Sequence, residues 1–404
     1  MTAAALTLTV RETGPGTPYE LTADQVAALV AVPDLVRLAP APGGRWRLRG
    51  NQKAGLVRLR TRSGAAIHLD LRPKLEIHNL LFLLAHSPTD PWHPEPVTAA
   101  AADGLLPALA DLLARTARRT LETGVLHGYR ETAEDLPLIR GRIRATDQLR
   151  RTGLPLPIAV QYDDHTPDIA ENRILLAALR LAAHLPDVPR PTLLALRNLA
   201  DRLHGVTLPA PGAPLPDWTP TRLNSRYTQT LRLAELLLSA RAPQPEGAAS
   251  ITMDGFLLDM PRVFERFLTL ALGAALTRHG IRCADQETHH RLDEAGRVPF
   301  RPDLVLYRAG RPVSVVDAKY TFLKPTAPPV DHLYQLLSYC TALALPHGHL
   351  VYAAASGANT PVDHTIRHAG ITITAHALDL SRRPADLLTE VADLARRTAN
   401  GPPA

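Results

Sequence analysis

The sequence predicts a multidomain α+β protein with a β-rich N-terminal region, a mainly helical middle region and a C-terminal α/β domain. Length is the first reason: 404 residues exceed what a single hydrophobic core usually serves. Patterning is the second. Short runs with a period of two fill residues 1–75, and Leu/Ala-rich stretches with helical period follow from Asn79 to about Ala240. The third is residues 251–397, where an apolar helix, a tight β-hairpin and a second helix follow one another. Hydrophobic content of 45% and charged content of 21% are those of a globular chain, which excludes disordered and fibrous classes.

In the N-terminal region, strands are expected at Leu6–Val10, Trp46–Leu48, Leu56–Leu59 and Ile67–Leu71, with a turn at Ser63-Gly64 and a helix at Ala23–Ala31. Arg45, Arg47, Arg49, Lys53, Arg58, Arg60 and Arg62 alternate with apolar residues, which gives hairpins a basic face suited to DNA or a partner protein. Helices are expected in the middle region (76–241) at Ala100–Leu121, Ala170–His184, Pro191–Leu203 and Asn224–Leu238. Asp163, Asp164 and His165 read as a polar loop, with Asp168 as a helix cap. The Pro- and Gly-containing stretch 242–250 reads as a linker, and Thr398–Ala404 as a frayed tail.

The chemistry concentrates in the hairpin. Leu304–Tyr307 and Val313–Val316 are β-prone runs joined by Arg308-Ala-Gly-Arg-Pro312. A hairpin folded about Gly310 sets Asp303 across from Asp317, with Cβ atoms roughly 4.5–5.5 Å apart. Side chains alternate, so Asp317 and Lys319 share a face while Ala318 points away. Facing carboxylates repel unless a proton or cation intervenes. An oxygen-only ligand set with open positions suits Mg²⁺, with Mn²⁺ as a substitute. Lys319 is also rare: among 45 Lys plus Arg, the only lysines are Lys53, Lys74, Lys319 and Lys324. The bland alternative is an exposed hairpin with a surface ion pair worth about 0–1 kcal/mol.

Flanking helices add candidates. A helix over Pro261–His279, with Asp259 as cap and Gly280 as stop, places Glu265 on the face of Leu268, Leu272 and Leu276. That position fits a metal ligand or a residue supporting one, or simply a first-turn glutamate favoured by the helix dipole. A later helix over His332–Ala344 stacks Gln335 and Tyr339 on one face, four residues apart.

In this order, Glu265, Pro302-Asp303, Asp317-Ala-Lys319 and Gln335-Leu-Leu-Ser-Tyr339 resemble the PD-(D/E)xK nuclease superfamily in its Gln-x-x-x-Tyr branch. More narrowly, Phe256-Leu-Leu-Asp-Met260, Val263-Phe-Glu-Arg-Phe267, Asp317-Ala-Lys-Tyr320 and Tyr334-Gln335 are similar to the McrC family, nuclease subunits of modification-dependent (type IV) restriction systems. Leu71-Arg-Pro-Lys74, Ile139-Arg-Gly-Arg-Ile143 and Glu171-Asn-Arg-Ile-Leu175 extend the likeness upstream, so that it runs from about residue 65 to the end. The resemblance implies a restriction-endonuclease-like C-terminal domain and Mg²⁺-dependent cleavage of double-stranded DNA carrying modified bases, an anti-phage function. It also implies an AAA+ GTPase partner of the McrB kind, acting as a ring whose GTPase this chain stimulates. Asp303, Asp317 and the Ala318 carbonyl would hold the metal with Glu265 binding directly or through water, Lys319 would position the attacking water or balance transition-state charge, and Gln335 and Tyr339 would brace the site or contact the DNA backbone.

Other features narrow the field. A net charge of +6 and a pI near 9.5 fit a polyanionic partner. Cys283 and Cys340 are the only cysteines and have no metal-ligand spacing, so a reduced, cytoplasmic setting is expected. No signal-peptide pattern and no apolar run of about 18 residues is read, which argues against a membrane role. His289-His290 and His347-Gly-His349 read as surface or loop histidines. No Gly-rich loop ends in Gly-Lys-Ser/Thr, so the chain is not expected to bind a nucleotide itself. Two other readings stay open: a stand-alone RecB-like repair nuclease, and a non-catalytic DNA-binding scaffold.

Overall fold

The computed structural model describes residues 6–86, 104–150, 156–210, 213–240, 253–321, 328–354 and 360–400. They form two compact units, one built from Met1–Glu95 with Ala240–Ala404 and one from Pro96–Ser239.

The first unit contains an antiparallel-rich sheet in the order β1 (Leu6–Arg11), β6 (Ala66–Arg72), β5 (Lys53–Arg60), β10 (Met253–Asp259), with β1 parallel to β6. Alternation decides its buried face: Leu8, Val10, Val57, Leu59, Ile67, Leu69 and Leu71 point into one core with Leu29 of α1 (Ala23–Val30). Thr22 and Gln25 close a capping box at the start of α1. A smaller sheet orders β2 (Thr17–Tyr19), β4 (Arg45–Gly50) and β3 (Val36–Ala41), and Leu48 joins the same core.

Sequence patterning sets residues 1–75 apart from 251–397, whereas strand pairing joins them: β10 lies antiparallel on β5 across nearly two hundred residues of chain. Two glycines permit this contact. Gly55 and Gly255 have φ of +147° and +154°, and a Cβ on either would lie 2.1 Å from the Phe256 carbonyl oxygen or 2.3 Å from that of Leu56. Any other residue would push these strands apart. Lys53 belongs to this junction and not to a free basic face, since its Nζ lies 2.5 Å from Asp259 Oδ2. Asp259 therefore spends its carboxylate on Lys53 and makes no side-chain cap at the start of α8 (Met260–Thr277). The remaining arginines divide: Arg45, Arg47 and Arg49 lie on one face of β4, Arg58 and Arg60 on β5, and Arg62 in the turn beyond it.

Beyond β10, the same unit forms a six-stranded mixed sheet in the order β11 (Arg282–Asp285), β12 (Leu304–Arg308), β13 (Arg311–Lys319), β14 (His347–Ala354), β16 (Ile371–Asp379), β15 (Val362–Ile366). β13, β14 and β16 are parallel neighbours and the outer pairs are antiparallel. α9 (Val330–Ala342) packs its Leu336, Tyr339 and Cys340 against Val315, Leu350, Tyr352 and Ile373. α8 packs against α10 (Pro384–Asn400) and against α2 (Ile77–Ala85), with Phe82 and Phe267 meeting edge-on at 5.7 Å. The expected fray at Thr398 is corrected: Thr398 and Ala399 are buried in α10, and the Ala399 carbonyl accepts from Arg308 at 2.8 Å. Residues 401–404, the 242–250 stretch and Lys324 lie outside the described residues.

The second unit packs α3 (Leu105–Glu122), α5 (Ala170–Ala182), α6 (Arg190–Asp201) and α7 (Thr228–Ser239), as the helical period predicts. It also holds a sheet the sequence reading lacked, with β9 (Ile158–Thr166) between β7 (Gly128–Leu136) and β8 (Arg142–Ile143), and a short helix α4 (Ala145–Leu149). β7 is exposed along most of its length, so no apolar alternation betrays it. Asp163, Asp164 and His165 consequently lie on β9 and not in a loop. Asp168 does not cap α5. Its buried carboxylate accepts from Arg130, Arg173 and Thr207, and those partners, Arg173 first, hold it far below the usual carboxylate range. Within Glu171-Asn172-Arg173, Asn172 ties down the Leu126 and Pro167 carbonyls at 2.7 Å each, so this stretch fixes the fold of the unit.

Candidate active site

The hairpin forms with the expected register, by a route the sequence concealed. Ala309 and Gly310, with φ of +50° and +80°, make a two-residue turn that pairs Arg308 with Arg311. That turn alone would shift the strands by one. A bulge at Val313, between the Tyr307/Pro312 and Leu306/Ser314 pairs, restores the register so that Leu304 faces Val316. Asp303 then stands one residue before β12, next to Asp317 on β13.

Burial and charge act on both acids. Asp317 is 2% exposed at its side chain, and Asp303 is half-buried. Desolvation foremost, with the Asp317 charge second, pushes the Asp303 carboxyl up to about 7, although the Ala318 N–H donates to its Oδ2 at 2.8 Å. Desolvation likewise raises Asp317, and Lys319 opposes it with Nζ 2.7 Å from Asp317 Oδ2. Lys319 Nζ also donates to Gln335 Oε1 at 2.8 Å, and Gln335 Nε2 donates to the Tyr339 hydroxyl at 2.8 Å. Asp317, Lys319, Gln335 and Tyr339 thus form one hydrogen-bonded row from β13 to α9.

Glu265 stands further out. It is half-buried on the edge of α8, adds to the charge that raises Asp303, and accepts a hydrogen bond from Gln286. Gln286 is a residue the sequence reading missed: its own amide oxygen accepts from Arg301, and its backbone N–H donates to the Asp303 carbonyl at 3.0 Å. Only its positive φ of 46° marks it, which no sequence pattern announces. Also missed was the support beneath Lys319. The next residue, Tyr320, donates its hydroxyl to the fully buried Glu12 at 2.7 Å, and its carbonyl accepts from Gln52 at 2.7 Å. Residues at the ends of the N-terminal strands therefore grip the end of β13.

The donor set fits a divalent cation. Both carboxyls are held against ionisation by burial, Asp303 by the Asp317 charge as well, and a dication beside them removes that penalty. Asp303 and Asp317 would bind it directly with the Ala318 carbonyl; Glu265 does not join them in a cluster of ligand atoms within 4.8 Å of one another, and reaches the pair through its charge on Asp303.

Fold and site together define an α/β protein whose central hairpin carries two acids and an ammonium group at one end of a mixed sheet. Over residues 51–353 the sequence matches the family model for McrBC 5-methylcytosine restriction system components, and the chain belongs to that family. A solved structure from Thermococcus gammatolerans, a refined half-complex from a tetradecameric assembly of McrB AAA+ hexamers with bound McrC, is similar with a TM-score of 0.53 at 18% identity. The match covers 98% of this chain and 99% of that one, so the likeness of fold spans nearly the full length and extends upstream of residue 65. The cryo-EM structure of the McrBC complex from the same organism gives a TM-score of 0.39 at 19% identity, covering 67% and 88% of the two chains. No curated protein matches. Among the described residues, no helix is long and apolar enough to cross a membrane.

Proposed function

We propose that this chain is the DNA-cleaving subunit of a modification-dependent restriction complex and that it hydrolyses phosphodiester bonds with Mg²⁺. The observation that carries the reading is the meeting of Asp303, Asp317 and Lys319 at the mouth of one hairpin, with Lys319 anchored on both Asp317 and Gln335. Bound there, Mg²⁺ supplies Lewis-acid polarisation of the scissile phosphate and makes the attacking water more acidic. The chain's own residues do the rest. Lys319 holds a fixed positive charge where the pentacovalent phosphate gathers negative charge, and Gln335, itself held by Tyr339, keeps that ammonium from swinging into solvent. Glu265, Gln286 and Arg301 hold the segment that carries Asp303. PD-(D/E)xK is the nuclease class this arrangement fits.

The partner follows from the family and the neighbour. The structural relative is McrC bound to McrB AAA+ hexamers, and we extend that pairing here: a separate AAA+ GTPase reads the modified DNA while this chain cuts and stimulates the GTPase. The test uses the purified chain with its cognate AAA+ protein, GTP, Mg²⁺ and methylated duplex DNA. Asp317→Ala should lose cleavage while retaining co-elution with the partner and GTPase stimulation. Normal cutting by that variant overturns the site, and efficient cutting by the chain alone favours a stand-alone nuclease.

A further inference from the structure

The loop between β11 and β12 gathers a second set of ligating side chains outside the carboxylate pair. Glu287, His289 and His290 each offer an atom, and the three lie within 4.8 Å of one another. Glu287 Oε2 is the hub, 3.1 Å from His290 Nε2 and 4.0 Å from His289 Nε2. Adjacent histidines usually diverge, yet here the two rings sit 4.1 Å apart, both with Nε2 turned to one oxygen. Expected surface residues are thus corrected in part: His290 is 8% exposed and stacks on Phe300, while His289 remains in solvent at 67%.

We infer that Glu287, His289 and His290 form a binding site for a borderline transition-metal cation, Zn²⁺ above all. Ligand atoms around tetrahedral zinc, with bonds of about 2.0–2.1 Å, stand about 3.3 Å apart. The observed 3.1 and 4.0 Å bracket that spacing, and only the solvent-exposed His289 ring has to move inward. Two imidazoles and one carboxylate suit zinc, whereas the oxygen-only pair at Asp303 and Asp317 suits a hard ion, so the two sites select different metals. An outer layer is built as well. Tyr307 donates to Glu287 Oε2 at 2.5 Å, and Arg282 lies 3.9 Å from Oε1, so Oε2 is the oxygen aimed at the imidazoles. Arg291 holds the loop backbone by donating to the Thr288 and His290 carbonyls at 2.8 Å each.

Such an ion pins the loop one residue after Gln286, which touches both Glu265 and the Asp303 backbone. The inference stands independently of the proposed nuclease reaction. Its test is metal content of the full-length protein, loaded with Zn²⁺, passed over a desalting column and measured by mass spectrometry, with Co²⁺ substitution for the visible spectrum. Wild type should retain one Zn²⁺ per chain and show tetrahedral Co²⁺ bands. Asp303→Asn should retain the zinc as well, while His289→Ala, a surface change that leaves the core intact, should lose it. Tyr307→Phe should weaken binding by about 10- to 100-fold. Absence of stoichiometric zinc in the wild type, retention by His289→Ala, or loss in Asp303→Asn alone each overturns the assignment.

Discussion

Asp303→Asn removes a charge that the fold holds at a cost, so this variant should gain stability without divalent metal even as it loses cleavage. Burial and Asp317 move the Asp303 carboxyl from 3.8 to about 7. A carboxyl whose folded value lies above its unfolded value binds its proton more tightly in the fold. Its favourable contribution is complete below about pH 4 and is lost as pH rises through about 7. At about 1.4 kcal/mol per tenfold change in proton affinity the loss is about 4 kcal/mol, and partial exposure of Asp303 reduces it to roughly 2–4 kcal/mol. Asn keeps the shape and retains an oxygen for the Ala318 N–H, so the hydrogen bond at 2.8 Å survives. Thermal unfolding in EDTA measures the difference. The advantage of the variant should grow between pH 4.5 and pH 8 and exceed about 4 °C at pH 8. Adding Mg²⁺ should raise the wild-type midpoint and leave the variant unmoved. A variant no more stable than wild type at pH 8 in EDTA refutes the premise that this carboxyl is held against its charge.

Four further outcomes follow from the same geometry. Lys319→Ala should lower single-turnover cleavage by about 10²- to 10³-fold with DNA binding retained, as measured by gel shift in Ca²⁺. Gln335→Ala frees the Lys319 ammonium and should cost up to about 10²-fold in the cleavage step, while Gln335→Glu, which keeps an acceptor at Oε1, should recover part of it. Because Asp303 must give up its proton to bind the ion, apparent Mg²⁺ affinity should tighten from pH 6 to pH 8, and a flat profile by calorimetry would contradict the site. Replacing Arg47 and Arg49 together by Glu reverses one face of β4 without touching the core, and should weaken partner GTPase stimulation or DNA binding in a salt-dependent manner; unchanged values in both assays remove that face from either role.

Much of the site was legible because the hairpin is local. Alternation fixed Asp317 and Lys319 on one face, and the i, i+4 spacing fixed Gln335 with Tyr339, since both rules depend only on residues a few positions apart. The bulge at Val313 was invisible, yet it cancelled the error of assuming a hairpin centred on Gly310. What stayed hidden was set by partners far along the chain. Helical period and turn residues recovered α3, α5 and α6 within a few residues. They missed β7 because nearly all of Arg-Glu-Thr-Ala-Glu-Asp is exposed and offers no buried face to alternate with. Asp168 and Asp259 looked like caps because a lone Asp before a helix usually is one. In both cases a basic residue far along the chain, Arg130 or Lys53, offered the carboxylate a charged partner in place of the N–H groups of the helix's first turn.

Residues 1–75 and 251–397 share one compact unit through the pairing of β10 with β5, and this pairing has a consequence for mechanism. A truncation within residues 40–75 would remove β5 and β6, strip β10 of its partner and open the core around Leu59 and Leu69, so it cannot report on partner contact alone. Tyr320→Phe isolates the connection instead. Removing the hydroxyl takes one donor from the Glu12 carboxyl, already raised by burial, and leaves it the Lys74 backbone, at a cost of about 1–3 kcal/mol. Because Glu12 is raised, that cost should be larger at pH 8 than at pH 5, where more of the carboxyl is protonated and needs no donor. If Glu12, just beyond β1, sets the height of β13 through this bond, cleavage per active complex should fall as well, with Mg²⁺ affinity little changed, since Asp317 on β13 and Asp303 just before β12 lie upstream of Tyr320 and are held by their own sheet. Destabilisation with an unchanged cleavage step would confine the Glu12–Tyr320 bond to holding the fold together.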